Sequence, residues 1–461
     1  MVLTDYSEKK CFKEVNKQLI LNTTSMKTNL KNLAIVIISL LLFVSCRERD
    51  PLNTPSRVRI KAVDGKYNFY VNGKLFELKG AGGGGRLDLL HESGGNSIRT
   101  WGSNNGKQLL DTAYKNNIMV AMGLSMAQEL HGFDYNDTAA VGKQYRRNIA
   151  AVEMYKNHPS LLCWVIGNEL NLSPGGGVPV NPKVYDAVED IVNYIHKNDP
   201  NHPATTAFAG CSGEQVRIGL EHCPDLDFLS FQVYGSLERM PEMIKAAEIN
   251  KPFAITEYGP VGHWEMPQTE WGREIEETSA KKASGIYERI QKGIVGDPTG
   301  LCLGGYAFLW GQKQERTPTW YGMFLKSGEA TPVVDELTRY WTGKYPENRA
   351  PEVDSIKLEG KNAIDNIYVK PGMACSAKVY ASDPNDDPLT FKWVLMKEVV
   401  ERSRGGAREI EPGSVPLEKM SESDEELSFI SPEEKGEYRL FCYVFDERNK
   451  AGTANIPFSI K

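Results

Sequence analysis

LLCWVIGNE, residues 161–169, carries an unbroken apolar run straight into Gly-Asn-Glu. A run without polar alternation suits a strand buried on both faces, and such strands belong to parallel sheets. A second stretch, PFAITE at residues 252–257, also ends an apolar run on a glutamate. Outward from these two, eight apolar segments recur with helical stretches between them: Phe76 to Ala81, Ser97 to Trp101, Ile118 to Leu124, Leu162 to Asn168, Ala204 to Ala209, Phe228 to Tyr234, Phe253 to Glu257 and Gly305 to Trp310. One separator, KVYDAVEDIVNYIHKNDP, sets Val184, Ala187, Val188, Ile191, Val192 and Ile195 on one helical face and stops at Asp199-Pro200. This α/β pattern of eight βα units, in about the length typical of the architecture, predicts a closed (β/α)8 TIM barrel over residues 57–345. The Gly82–Gly85 run lacks the spacing of a phosphate-binding loop.

Ahead of the first barrel segment, RVRIKAVDGKYNFYVNGKLFELKG alternates around Asp64-Gly65 and Asn72-Gly73, which predicts two hairpin turns. After Tyr345 the polar, Pro-containing joint PENRAPEVD changes the pattern. Seven alternating runs follow, and residues 346–461 are predicted to form an all-β immunoglobulin-like sandwich that acts as a spacer or stabiliser, or binds sugar. Asp383, Asp386 and Asp387 suit calcium by residue type, but turn formation is the simpler reading. Cys163, Cys211, Cys223, Cys302, Cys375 and Cys442 match no zinc spacing. They are read either as buried thiols or as containing a pair, Cys375 with Cys442 or Cys211 with Cys223.

The N-terminus reads as an address. Residues 1–25 are polar and precede a credible start at Met26, so they suggest a start codon assigned too early. Residues 26–46 have a basic start, an apolar run from Leu33 to Val44, and the ending Leu-Phe-Val-Ser-Cys, which resembles a bacterial lipobox with Cys46 as the lipidated residue. A plain signal peptide or anchor is the alternative. Residues 47–56 read as a polar spacer. The expectation is an exported bacterial lipoprotein, periplasmic or at the outer membrane or cell surface, touching the membrane only through a lipid anchor. A net charge of −6 and scattered Lys and Arg give no electrostatic footprint for nucleic acid. Oligomeric state is not legible.

Barrel enzymes place their chemistry at the C-terminal ends of the strands, and there Glu169 and Glu257 stand out. A carboxyl at the end of a buried run is costly without a partner or a task. Taken singly, each is as well explained by an ion pair with Arg or Lys. Two carboxyls at one barrel mouth can flank a bound bond, one protonating the leaving oxygen and the other attacking the anomeric carbon or activating water.

Trp164-Val165-Ile166-Gly167-Asn168-Glu169 resembles the strand-four W-x-x-x-N-E signature of the clan of retaining barrel glycoside hydrolases that includes families 2 and 5. Ile255-Thr256-Glu257-Tyr258-Gly259 resembles that clan's strand-seven nucleophile motif, and SIRTWG, FQVYG and FLWG fall in matching order. The resemblance implies Glu169 as general acid/base and Glu257 as nucleophile. Asn168 would hold the sugar 2-hydroxyl, Arg99 and Tyr234 would support Glu257, and Trp310 would floor the subsite of the reacting sugar. Trp101, Tyr258, Trp264, Trp271, Trp320 and Tyr321 are candidates for further sugar subsites or for packing. The layout of signal, bare barrel and sandwich resembles exported β-glucanases such as those of family 158, which implies a carbohydrate substrate, β-glucan in particular. A transglycosylase using the same glutamates and a non-catalytic glycan-binding lipoprotein are the alternatives. The mechanism needs no cofactor, and the histidines show no metal spacing such as HExxH.

Overall fold

The computed structural model describes residues 51–174, 180–404, 406–423 and 425–461; Cys46 and the signal segment lie outside the described residues. Residues 51–53 form one 3-10 turn. Three antiparallel strands come next, β1 (Val58–Val63), β2 (Lys66–Val71) and β3 (Lys74–Phe76). Their turns fall at the two expected dipeptides: φ is 51° and 78° at Asp64-Gly65, and 51° and 82° at Asn72-Gly73. Two successive left-handed residues are what a two-residue hairpin turn requires. Phe69 of this ribbon meets Phe228 edge-on with ring centroids 5.5 Å apart, so the ribbon closes the N-terminal end of the barrel.

The barrel strands are β4 (Leu78–Gly83), β5 (Ser97–Arg99), β6 (Met119–Leu124), β7 (Leu161–Ile166), β8 (Ala204–Thr205), β9 (Ala207–Ala209), β10 (Leu229–Gln232), β11 (Phe253–Tyr258) and β12 (Cys302–Trp310). All pair in parallel, in the order β8-β7-β6-β5-β4-β12-β11-β10-β9. The two ends of this sheet, β8 and β9, are halves of a single broken strand. Thr206 lies at the break and donates its hydroxyl to Ile166 O at 2.7 Å. The first half pairs with β7 and the second with β10, which closes a ring of eight. Tyr306 fills the interior and shares a 2.9 Å hydrogen bond with Ser97 Oγ. Gly80 leaves room for it, since a Cβ there would stand 2.4 Å from the Tyr306 ring.

Helices α1 (Leu87–Glu92), α2 (Gly106–Lys115), α3 (Thr138–Tyr155), α4 (Lys183–Asn198), α5 (Gly213–His222), α6 (Met240–Ala246), α7 (Ser279–Ile290) and α8 (Pro332–Thr342) alternate with the strands. The apolar face expected on α4 is buried, joined by Tyr185.

Among the described residues the C-terminal part has nine strands: β13 (Glu352–Leu358), β14 (Tyr368–Val369), β15 (Ala374–Ser382), β16 (Thr390–Lys397), β17 (Ser414–Val415), β18 (Glu418–Glu422), β19 (Glu426–Ile430), β20 (Gly436–Phe445) and β21 (Ala451–Ile460). They form two sheets, β13-β15-β19-β18 and β14-β21-β20-β16-β17. β17 and β18 exceed the seven expected runs. Both are edge strands, where polar sequence keeps an open edge soluble and leaves little alternation to read. Asp383 Oδ1 accepts from the backbone N–H of Asn385 at 2.7 Å and of Asp387 at 3.1 Å, so Asp383 does form a turn. Carboxylate oxygens of Asp383, Asp387 and Asp446 lie within 4.8 Å of one another. The six described cysteines are free thiols, so neither candidate disulfide exists, and all but Cys211 are buried.

One expectation about the spacer is corrected. Ser56, placed in the spacer, is buried and donates to Leu161 O at 2.5 Å. Residues 55–461 form one compact unit in which the barrel and the sandwich pack against each other. Every residue of β21 is buried because its sheet faces the sandwich core on one side and α7 on the other. At this contact Glu276 pairs with Lys282 and accepts from Asn455 Nδ2 at 2.6 Å, while Thr453 N donates to Ser279 Oγ at 2.8 Å. Among the described residues no helix is long and apolar enough to cross a membrane.

Candidate active site

Gly167 turns the chain at the end of β7 with φ 73°, and Glu169 follows with φ 51°. A non-glycine residue in the left-handed region costs roughly 1–2 kcal/mol and persists where the surroundings over-determine it. Here Glu169 N donates to Ala207 O at 2.9 Å, and Gln128 Nε2 donates to Asn168 O at 2.8 Å. The pinned turn leaves Asn168 and Glu169 partly exposed, in a cleft of about 1160 Å3 that Glu257 also lines.

The two glutamates are treated oppositely. Glu257 Oε1 accepts from Arg99, from Trp101 Nε1 at 2.6 Å and from Gln232 Nε2 at 2.9 Å, and its Oε2 accepts from Tyr234 OH at 2.9 Å. Four convergent donors stabilise a carboxylate anion. The Glu169 carboxyl receives no hydrogen bond among the described residues. Desolvation first, and the neighbouring negative Glu257 second, push its pKa from 4.5 up to about 8. At neutral pH Glu169 therefore holds a proton, beside a Glu257 carboxyl fixed by four donors.

Arg99, at the end of β5, is 0% exposed. A buried guanidinium is tolerable only when paired, and this one also reaches Asn168 Oδ1 at 2.5 Å and Thr256 O at 3.4 Å. Gln232 Nε2 also donates to Asn168 Oδ1 at 2.6 Å, which leaves the Asn168 amide N–H group for a ligand. Sequence reasoning missed Gln232, although it lies inside the quoted FQVYG segment. Period-two spacing along FQVYG, carried past the end of β10, is the signal that pairs Gln232 with Tyr234.

Trp310 is corrected. Its side chain is 2% exposed, donates to Arg86 O at 3.2 Å and packs edge-on against Phe324 with centroids 5.0 Å apart, away from the cleft. Phe308 lines the cleft instead, edge-on to Trp101 at 5.6 Å. Among the further aromatic candidates, Trp264 and Tyr321 line the cleft, and Trp264 is 60% exposed. Tyr258 and Trp320 are buried, and Trp271 packs against Tyr368 of the sandwich.

A second constellation sits at the closed end of the barrel: Ser56 Oγ lies 2.9 Å from His202 Nε2, and His202 Nδ1 lies 2.9 Å from Asp199. It has the outline of a nucleophilic triad but not the chemistry. The Ser56 hydroxyl donates to Leu161 O, and all three residues are buried, so the group ties the entering chain to the barrel.

No family model matches the sequence, and no curated protein matches it. Solved structures are similar in architecture. A β-glucuronidase of Bacteroides uniformis has 14% identity and a TM-score of 0.48, over 88% of this chain and 48% of that one. A putative β-galactosidase from Bacteroides fragilis has 12% identity and a TM-score of 0.46, over 88% and 57%. A β-glucuronidase from Ruminococcus gnavus in complex with D-glucuronic acid has 17% identity and a TM-score of 0.46, over 62% and 52%. This chain thus spans about half the length of those proteins. The barrel assignment rests on the strand order above.

Proposed function

We propose that the chain is a retaining glycoside hydrolase that cleaves β-linked sugars by double displacement. The observation that carries this reading is the opposite treatment of Glu169 and Glu257 within one cleft, a proton-holding carboxyl beside a carboxylate fixed by four donors. Glu257 attacks the anomeric carbon while Glu169 gives its proton to the departing oxygen, which breaks the glycosidic bond and leaves a glycosyl ester on Glu257. Glu169, now an anion, takes a proton from water as the water oxygen displaces Glu257 and releases the sugar with its configuration retained. The free amide N–H of Asn168 suits the 2-hydroxyl, and the Phe308 ring suits the apolar face of a pyranose. β-Glucan is the proposed substrate, on the resemblance of the layout to exported β-glucanases, and Cys46 is the proposed lipid anchor.

The test is the anomer first formed from β-1,3-, β-1,4- and mixed-linkage glucans, followed by proton NMR, together with the Glu257→Gln variant. A β product and loss of cleavage in the variant are expected. An α product, or undiminished cleavage by Glu257→Gln, overturns the assignment.

A further inference from the structure

The sandwich reaches the cleft. Between β16 and β17 the chain leaves the sheet and is fastened to the barrel segment that follows β12. Buried Glu409 accepts from the Arg316 backbone N–H at 2.7 Å and from its guanidinium at 2.9 Å, from Gln314 Nε2 at 3.2 Å, and from Ser403 N at 3.1 Å. Lys313 Nζ donates to Gly406 O at 3.1 Å. This joint brings Ser403, Arg404 and Gly406 to line the same cleft as Glu169 and Glu257.

Three other charged groups lining that cleft are already engaged. Arg316 is held by Glu409, Lys313 by Glu315, and Glu265 by the backbone N–H groups of Gly235 and Gly262. Arg404 is exposed, and its guanidinium has no hydrogen bond or ion pair among the described residues. The cleft of about 1160 Å3 also exceeds the roughly 300–1,000 Å3 that hold a small-molecule ligand, so it has room for more than the reacting sugar.

We propose that Arg404 binds a sugar unit beyond the reacting one, so that the C-terminal sandwich forms part of the substrate cleft for a β-linked glycan chain. This rests on the glycosidase reading. A planar guanidinium presents paired N–H donors that match two neighbouring hydroxyls or a carboxylate on a sugar. Its position on a fastened loop places the backbone in advance and leaves only the side chain to be ordered on binding.

The experiment compares wild type, Arg404→Ala and Arg404→Lys on β-1,3-gluco-, β-1,4-gluco- and β-1,4-manno-hexasaccharides and on the shortest member of each series that the wild type cleaves. Arg404→Ala is expected to lower kcat/KM on the hexasaccharide about tenfold, the size of one lost charged hydrogen bond, and to leave the shortest substrate unchanged. Recovery in Arg404→Lys marks a contact to a single hydroxyl, and failure to recover marks paired hydroxyls; both support the proposal. Equal losses on long and short substrates, or no loss on either, overturn it. A wild type that binds a hexasaccharide without cleaving it refutes the glycosidase reading alone, and the same comparison is then made on Kd. A wild type that neither binds nor cleaves overturns both.

Discussion

Replacing Glu169 by Gln should make the protein less active and more stable at neutral pH. In the folded chain this carboxyl keeps its proton up to about pH 8, whereas its ordinary value is 4.5. A group whose folded pKa is raised contributes stability that is fully present below the unfolded value and is lost as pH rises towards the folded one. The window here runs from about pH 4.5 to about 8. At pH 7 folding must protonate a carboxyl that is ionised in the unfolded chain. With 1.36 kcal/mol per unit over about 2.5 units, that costs about 3 kcal/mol. Glutamine has nearly the same shape and no proton to take up, so it avoids this cost. Unfolding entropy of about 2.1 cal/mol/K per residue over roughly 400 residues converts about 3 kcal/mol into a rise in Tm of about 4 °C. Differential scanning calorimetry at pH 7 and pH 4.5 should show the rise at the first pH and almost none at the second. The variant should also lose about 10²–10⁴-fold in kcat/KM on unactivated substrates, and the wild-type kcat/KM should fall above about pH 8 as the acid loses its proton. An equal Tm change at both pH values, or a drop in Tm at pH 7, would refute the claim that burial and Glu257 hold Glu169 protonated.

Phe308→Ala should raise KM by about tenfold or more in steady-state kinetics, whereas Trp310→Phe should lower Tm by thermal melting and leave KM near wild type, because only the first ring faces the cleft. Lys282→Met should destabilise the protein by about 3–5 kcal/mol in urea unfolding, because it strands Glu276, which is 1% exposed at the contact between barrel and sandwich. Burial pushes the Glu276 carboxyl up, and Lys282 and Thr317 more than offset it, so the Lys282 charge is what keeps this group ionised.

The sequence by itself determined what local pattern encodes. The eight strand segments, the buried face of α4, both hairpin turns and the two strand-end glutamates were legible because each depends on neighbours within a few residues: apolar periodicity, turn dipeptides, or a polar residue ending a buried run. Only tertiary structure decided which groups meet. Ring closure depends on a strand broken at Thr206 that serves two neighbours, and no local signal marks it. Trp310 was misplaced because the pairing of β12 with β4 shifts register between Ala307 and Trp310, and such a shift breaks the alternation from which side-chain direction is read. Gln232 gains its role from two acceptors 64 and 25 residues away in the chain, Asn168 and Glu257. The different surroundings of two chemically identical glutamates, and the arrival of Arg404 at the barrel mouth, follow from burial and long-range packing. These are properties of the assembled chain that spacing along the sequence does not carry.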